Sequence, residues 1–236
     1  MTDERCCFPA QALLRLQSWL SPAFPIGAYS YSHGLEWSVE AGHVHDRKTL
    51  VDWLQAGLCY GSGRNEGIFF TEAWRCARDD DRDRLFDVAE LAAAFRGTAE
   101  LALESSQQAA ACLETLCQVW PDRVVRWLSE LLNEKQVQPA LAVVLGIRFA
   151  RQDIPSRLAL PAFLQAYVAN LVAAGVRLIP LGQTDGQRAI AELEEAVLAA
   201  SVQAEKSTID DLGSATFMVE LASMAHETQY TRLFRS

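Results

Sequence analysis

The feature that most constrains the fold is a pair of long helical patterns on either side of Pro180. Apolar residues recur at three- and four-residue spacing over 160–172, and the same spacing returns over 190–198. That spacing places apolar side chains on one face of a helix. Proline lacks an amide hydrogen and disfavours helical geometry at the residue before it, so we expect the first helix to end at Ile179. The pattern predicts two core helices joined by a tight corner.

The corner itself, residues 177–188, is polar. Thr184 and Gln187 have the spacing of a capping box, which predicts that the second helix begins there. The corner carries four polar side chains that can face a partner: Arg177, Gln183, Gln187 and Arg188. Simple turn chemistry and a contact site both account for this composition.

The rest of the chain repeats the helical pattern. Sustained two-residue alternation bounded by hairpin turns is absent, and β-branched residues are sparse. Half of the 236 residues are hydrophobic, which is enough for one large core. We therefore predict an all-α, single-domain bundle of about ten helices over 1–236, with flexible tails at 1–8 and 227–236.

Charge and composition exclude several classes of partner. The formal net charge of −9 disfavours nucleic acid or an anionic membrane, because both attract a basic surface. No uninterrupted apolar run is long enough to span a membrane, and the first residues lack the apolar core of a signal peptide. Six cysteines without regular spacing indicate reduced thiols, so we expect a cytoplasmic protein.

Motifs that carry catalysis are missing from the sequence. It contains neither the phosphate-binding G-x-x-x-x-G-K-[ST] loop nor a G-x-S-x-G nucleophile turn. His43 and His45 are the closest approach to a metal-ligand pair, but no third ligand lies nearby in the sequence, which favours a structural or solvated role. The sequence indicates a binding protein that is not an enzyme.

Two further segments have the composition of a contact surface. Residues 21–36 combine two prolines with the adjacent hydroxyl-bearing residues Tyr29 and Ser30, which suits either a buried turn or a contact surface. Near the end of the sequence, Tyr230, Leu233 and Phe234 stand beside arginines, as in an interface hot spot. The same residues can equally fold back on the core.

Three segments together resemble the UreF family of urease accessory proteins. They are Ser-Pro-Ala-Phe-Pro-Ile-Gly-Ala-Tyr-Ser-Tyr-Ser-His-Gly-Leu-Glu at 21–36, Val-Arg-Leu-Ile-Pro-Leu-Gly-Gln-Thr-Asp-Gly-Gln-Arg at 176–188, and Ser-Met-Ala-His-Glu-Thr-Gln-Tyr-Thr-Arg-Leu-Phe-Arg-Ser at 223–236. A weaker match lies at 100–108. The sequence departs from the family pattern at Ala102 and at Glu220-Leu221, which affects local contacts only.

The resemblance implies an all-α cytoplasmic protein that forms a homodimer. It implies binding to a second accessory protein, called D or H, and through that complex to the GTPase G. Such an assembly delivers nickel to apo-urease, so the family member is a nickel-insertion chaperone or adaptor without a cofactor of its own. That it is not itself the GTPase agrees with the missing phosphate-binding loop.

From the matching segments we expect the partner-binding residues to be Tyr29, Ser30, Glu36, Arg177, Gln183, Gln187, Arg188, Glu227, Tyr230, Arg232, Leu233 and Phe234. We expect no catalytic residue and no metal ligand. The alternative hypothesis is direct nickel transfer through His43 and His45.

Overall fold

The computed structural model describes residues 10–236, so the tail predicted at 1–8 lies outside the described residues. Over this range the chain forms eleven α-helices, two short 3₁₀ turns and no β-strand. The predicted all-α fold of about ten helices is confirmed. The helices are α1 (Ala10–Trp19), α2 (Leu35–Glu40), α3 (Arg47–Tyr60), α4 (Ser62–Asp79), α5 (Arg82–Ala94), α6 (Ala99–Val119), α7 (Arg123–Lys135), α8 (Leu141–Ala150), α9 (Ser156–Leu178), α10 (Gln183–Lys206) and α11 (Phe217–His226). The 3₁₀ turns are Ala28–Ser30 and Ile209–Asp211.

Helix α4 is the centre of the bundle, and it packs against α3, α5, α8, α9 and α10. Its closest neighbour is α8, where Gly146 lies against the backbone of Phe70 so tightly that any side chain at 146 would collide with the Phe70 carbonyl oxygen. Phe70 stacks on Phe163 of α9 with ring centroids 5.2 Å apart. These contacts make one continuous apolar core.

The corner at 177–188 follows the prediction at one end and departs from it at the other. Helix α9 stops at Leu178 with Ile179 extended, as Pro180 requires. Helix α10 begins at Gln183 after Gly182, with no side-chain cap, so the capping box predicted for Thr184 and Gln187 is wrong. Thr184 already lies inside the first helical turn, where its hydroxyl is past the capping position.

Helix α9 alone among the described helices is long and apolar enough to cross a membrane, by length and composition only. Half of its most apolar window is buried inside the protein, and the helix contacts α2, α3, α4, α8 and α10. Polar side chains along it also bond within the protein, because Asn170 donates to the Ala28 carbonyl and Arg177 to that of Tyr29. It is a core helix of the bundle.

Candidate partner-binding site

The segment 227–236, which we call the tail segment, lies along the turn that precedes α2. The backbone N–H of Arg235 donates to the Ser30 carbonyl at 2.8 Å, and the N–H of Ser32 donates to the Ser236 carbonyl at 2.8 Å. The Ser32 hydroxyl donates to the same Ser236 oxygen. We expected 227–236 to be a flexible tail, but the structure places it against the body because its backbone hydrogen bonds are made there.

Glu36 is the main acceptor for the tail segment. It lies in the first turn of α2, and its carboxylate accepts the backbone N–H groups of Leu233 at 2.7 Å and Phe234 at 2.9 Å. Gly34 makes this position possible: its φ is +76°, and a side chain there would collide with the backbone of Ser223 in α11. Glu36 is only 7% exposed, so these charge-assisted bonds form away from water.

Behind Glu36, the fully buried ring of His226 joins two carboxylates. Its Nε2 lies 3.1 Å from Glu36, and its Nδ1 lies 2.7 Å from Glu100 on α6. Arg232 donates to the other oxygen of Glu100 at 3.0 Å. Glu36, Glu100, His226 and Arg232 form what we call the tail clamp, in which side chains from α2, α6 and α11 meet the tail segment.

A second series of contacting polar side chains starts at Glu104, one helical turn after Glu100 on α6. Glu104 accepts from the Ser236 hydroxyl at 2.8 Å and lies 3.4 Å from Nδ1 of His33. Nε2 of His33 lies 2.9 Å from the Ser62 hydroxyl, which is 3.0 Å from the hydroxyl of Tyr167. Burial raises the pKa of Tyr167 above its ordinary value. The adjoining cavity, which His33, Ser62 and Tyr167 line, has a volume of about 10 Å³, close to the minimum for one water.

Arg177 connects the corner to the same site. Its guanidinium carbon lies 3.6 Å from the ring centroid of Tyr29 and 4.1 Å from that of Phe234. It also donates to the Tyr29 carbonyl at 2.8 Å. The side chain of Phe234 is only 4% exposed, so Arg177 holds a buried aromatic anchor by a cation–π contact.

Several large apolar side chains near the clamp are exposed. Tyr230 is fully exposed and Leu233 is 64% exposed, and Tyr29, which contacts Arg177, is exposed as well. Helix α11 buries one face against α2 and α6 and exposes the other. The exposed side chains of that helix are Phe217, Met218, Leu221 and Met224. A contiguous apolar helix face with aromatic and methionine side chains is typical of a protein-binding surface.

Comparison with known proteins decides the family. A family model described as UreF matches residues 44–194. The chain is 48% identical over 225 residues to the urease accessory protein UreF of Rhodopseudomonas palustris (strain BisB5), covering 95% of this chain and 91% of that relative. It is 48% identical over 225 residues to the urease accessory protein UreF of Granulibacter bethesdensis, covering 95% and 94%. A relative of the same name from Bradyrhizobium diazoefficiens is 46% identical over 227 residues, covering 96% and 93%.

The chain belongs to the UreF family. Its role is therefore that of an accessory protein in urease maturation, and it is not itself catalytic. This confirms the resemblance found in the three segments, and the structure brings residues of all three segments to one place.

The expected partner-binding residues lie in three places in the UreF fold. Most of them lie in or around the tail clamp: Tyr29, Ser30, Glu36, Arg177, Tyr230, Arg232, Leu233 and Phe234. Glu227 is exposed directly after α11. Gln183, Gln187 and Arg188 are exposed in the first turns of α10, where Arg188 pairs with Asp185 at 3.0 Å. Within 10–236, no hydrogen bond or ion pair joins these three to the tail segment.

The histidine pair of the alternative hypothesis is not part of the tail clamp. His43 and His45 are both exposed between α2 and α3. The ring of His43 lies 5.8 Å from that of Trp37, and Nδ1 of His45 lies 3.3 Å from the Gly42 carbonyl. In the part of the chain that the structure describes, no group of three His, Cys, Asp or Glu side chains is arranged so that it could hold a metal ion.

Sequence reasoning missed His226, Glu100, Glu104 and Ser32 as members of the site. Glu100 and Glu104 had a usable signal, because they fall in the weaker matching segment and are four residues apart, on one face of α6. His226 had no signal of its own beyond its place in the 223–236 segment. Its two carboxylate partners lie 190 and 126 positions away in the chain.

Proposed function

We propose that this UreF family member is an adaptor that binds accessory protein D/H through the apolar surface around the tail clamp. The surface comprises Tyr29, Tyr230 and Leu233 together with the exposed face of α11. The observation that carries the proposal is that the backbone of the tail segment is bound to the body while Tyr230 and Leu233 point away from it. Glu227 and Ser30 lie at its edge.

A bound backbone makes these side chains effective anchors. Ordering a loose segment at an interface costs free energy that reduces the affinity, and here the hydrogen bonds to Glu36 have already ordered it. Tyrosine, leucine and methionine then supply apolar contact area, and the clustered arginine and carboxylates stay paired within the protein. This arrangement suits a partner with a complementary apolar surface.

In the proposed assembly, the complex with D/H recruits the GTPase G, and the assembly delivers nickel to apo-urease in the cytoplasm. The adaptor acts as a homodimer and needs no cofactor of its own. We assign Gln183, Gln187 and Arg188 to a second contact surface, for the second protomer or for the GTPase, because they are exposed and only Arg188 pairs locally. Family membership and the missing phosphate-binding loop support the assignment of an adaptor role to this protein and of GTPase activity to G.

Light scattering on a sizing column tests the proposal, with the protein alone and then mixed with accessory protein D/H and with G. A dimer that grows into larger complexes with both partners is expected. Tyr230→Ala with Leu233→Ala should abolish the complex with D/H, because it removes the two exposed anchors of the tail segment. Leu198→Ala is the matched control, since Leu198 is similarly exposed on α10. Unchanged complex formation by the double variant would rule out this surface.

Direct nickel transfer through His43 and His45 is the competing proposal. Their exposure two residues apart supports access to an ion. Titration calorimetry with Ni²⁺ separates the two ideas: submicromolar affinity that is lost in His43→Ala/His45→Ala supports direct transfer. Heat changes that are the same in the variant would reject it.

A further inference from the structure

We propose that His226 is a positioning residue, which holds the Glu36 and Glu100 carboxylates in the orientation that binds the tail segment and thereby fixes Leu233 on the partner-facing surface. The clamping of the tail follows from the geometry, whereas the partner-facing role of Leu233 rests on the proposed function. His226 itself is fully buried, so no partner touches it.

The first argument is that the ring of His226 lies between side chains of two other helices. Glu36 belongs to α2, Glu100 to α6 and His226 to α11, and the imidazole lies within hydrogen-bond distance of both carboxylates. Both carboxylates also accept hydrogen bonds from the tail segment. Glu36 accepts from the backbone N–H groups of residues 233 and 234, and Glu100 accepts from the guanidinium of Arg232.

The second argument concerns protons and charge. A neutral imidazole donates a hydrogen bond from one nitrogen only, and here each ring nitrogen faces a carboxylate. The ring of His226 and the guanidinium of Arg232 are the side chains that face Glu36 and Glu100 in the clamp. Without the ring, the clamp would hold two buried carboxylates against one cation, which is unfavourable in a low-dielectric interior.

The third argument is what Glu36 does when the ring is gone. A buried carboxylate that loses its donor is stabilised by turning toward water. Glu36 can do so only by leaving the backbone N–H groups of Leu233 and Phe234, whose bonds of 2.7 and 2.9 Å depend on its present orientation. Leu233 would then lose its fixed position although its own side chain is unchanged.

Residue-resolved amide hydrogen exchange on the full chain tests this inference without any partner. In His226→Gln the side-chain amide can donate to one carboxylate but turns its carbonyl oxygen toward the other. We expect the amides of Leu233 and Phe234 to exchange roughly ten- to a hundredfold faster, the loss expected for hydrogen bonds to a charged acceptor. Leu128→Ala, a buried change on α7, is the control for a general loss of stability.

His226→Asn provides a second route if His226→Gln does not fold, because it also removes the imidazole and leaves Glu36, the acceptor of the two N–H groups, unchanged. Faster exchange at 233 and 234 than in Leu128→Ala, compared at equal global stability, supports the inference. Exchange at these two amides that only follows global stability overturns it. Binding to D/H is measured separately: a loosened tail with unchanged affinity would reject the partner-facing role of Leu233 and leave the clamp itself supported.

Discussion

The guanidinium of Arg177 lies over the ring of Tyr29, with its central carbon 3.6 Å from the ring centroid, although 148 positions separate the two residues. The same guanidinium faces the ring of Phe234 on the tail segment. Arg177 therefore joins the corner after α9, the turn before α2 and the tail segment within a single chain.

Replacing Arg177 tests this role. Arg177→Ala should lower the free energy of unfolding by about 1–3 kcal/mol, because it removes two cation–π contacts and a hydrogen bond to the Tyr29 carbonyl. Arg177→Lys should recover only part of the loss, since an ammonium cannot stack on both rings. Denaturant unfolding measures both changes. Arg188→Ala, an exposed residue of the same corner, should change stability by about 0.5 kcal/mol or less.

Removing the two aromatic side chains of the tail segment should have different effects on stability. Phe234→Ala is expected to cost about 2–4 kcal/mol of unfolding free energy, because the ring is buried against the core and Arg177. Tyr230→Ala should leave stability within about 0.5 kcal/mol, since that side chain is fully exposed. Thermal unfolding of both variants decides the point. Equal stability of the two would mean that the tail segment is not docked in solution.

Two glycine substitutions should have opposite signs. Gly146→Ala on α8 places a methyl group against the Phe70 carbonyl, so we expect a loss of about 2 kcal/mol or more, despite the better helix propensity of alanine. Gly57→Ala on α3 meets no atom within 4 Å and should stabilise the protein by about 0.5–1 kcal/mol. Denaturant midpoints of the two variants measure the difference. A stabilising Gly146→Ala would show that α4 and α8 do not pack this closely.

The described cysteines should differ in reactivity toward alkylating reagents. Burial raises the pKa of Cys76 to about 11, and burial also raises the pKa of Cys112. The thiolate is the reactive form, so both thiols should resist iodoacetamide near pH 8 in the folded protein, whereas the less buried Cys59 should react earlier. Peptide mapping by mass spectrometry follows each thiol separately. Equal labelling rates at Cys59 and Cys112 would contradict the packing of α6.

The raised pKa of Cys76 should also affect the stability of the protein at alkaline pH. The pKa of Cys76 is higher in the folded state than its ordinary value of 9.0, so the folded protein retains this proton when the unfolded chain has lost it. The contribution of Cys76 is complete below pH 9 and is lost as the pH rises toward about 11. Cys76→Ala should therefore weaken the fall in unfolding free energy over this range. An unchanged pH profile would contradict the burial of this thiol.

Much of the fold follows from local chemistry in the sequence. Pro180 ends α9 because a proline restricts the residue before it and cannot donate to the helix. Asp46 begins α3 through the capping box that it forms with Thr49. Apolar spacing located the helices because it reflects a period of 3.6 residues, which depends on neighbours only a few positions away. The start of α10 was misplaced because Gly182, which has no side chain to signal a cap, precedes it.

The arrangement of the site could not be predicted from the sequence and required the tertiary structure. The sequence identified Tyr29, Arg177 and Phe234 as belonging to unusual segments, but nothing local shows that one guanidinium would lie between two rings. The tail segment has the composition of an exposed interface, and only the fold shows that Phe234 and its backbone face inward while Leu233 faces outward. His226 belongs to the site because carboxylates from two other helices lie within hydrogen-bond distance of its ring. The sequence by itself determined the helices, because helix formation is local, and only tertiary structure decided which buried charges would meet, because that depends on how distant segments pack.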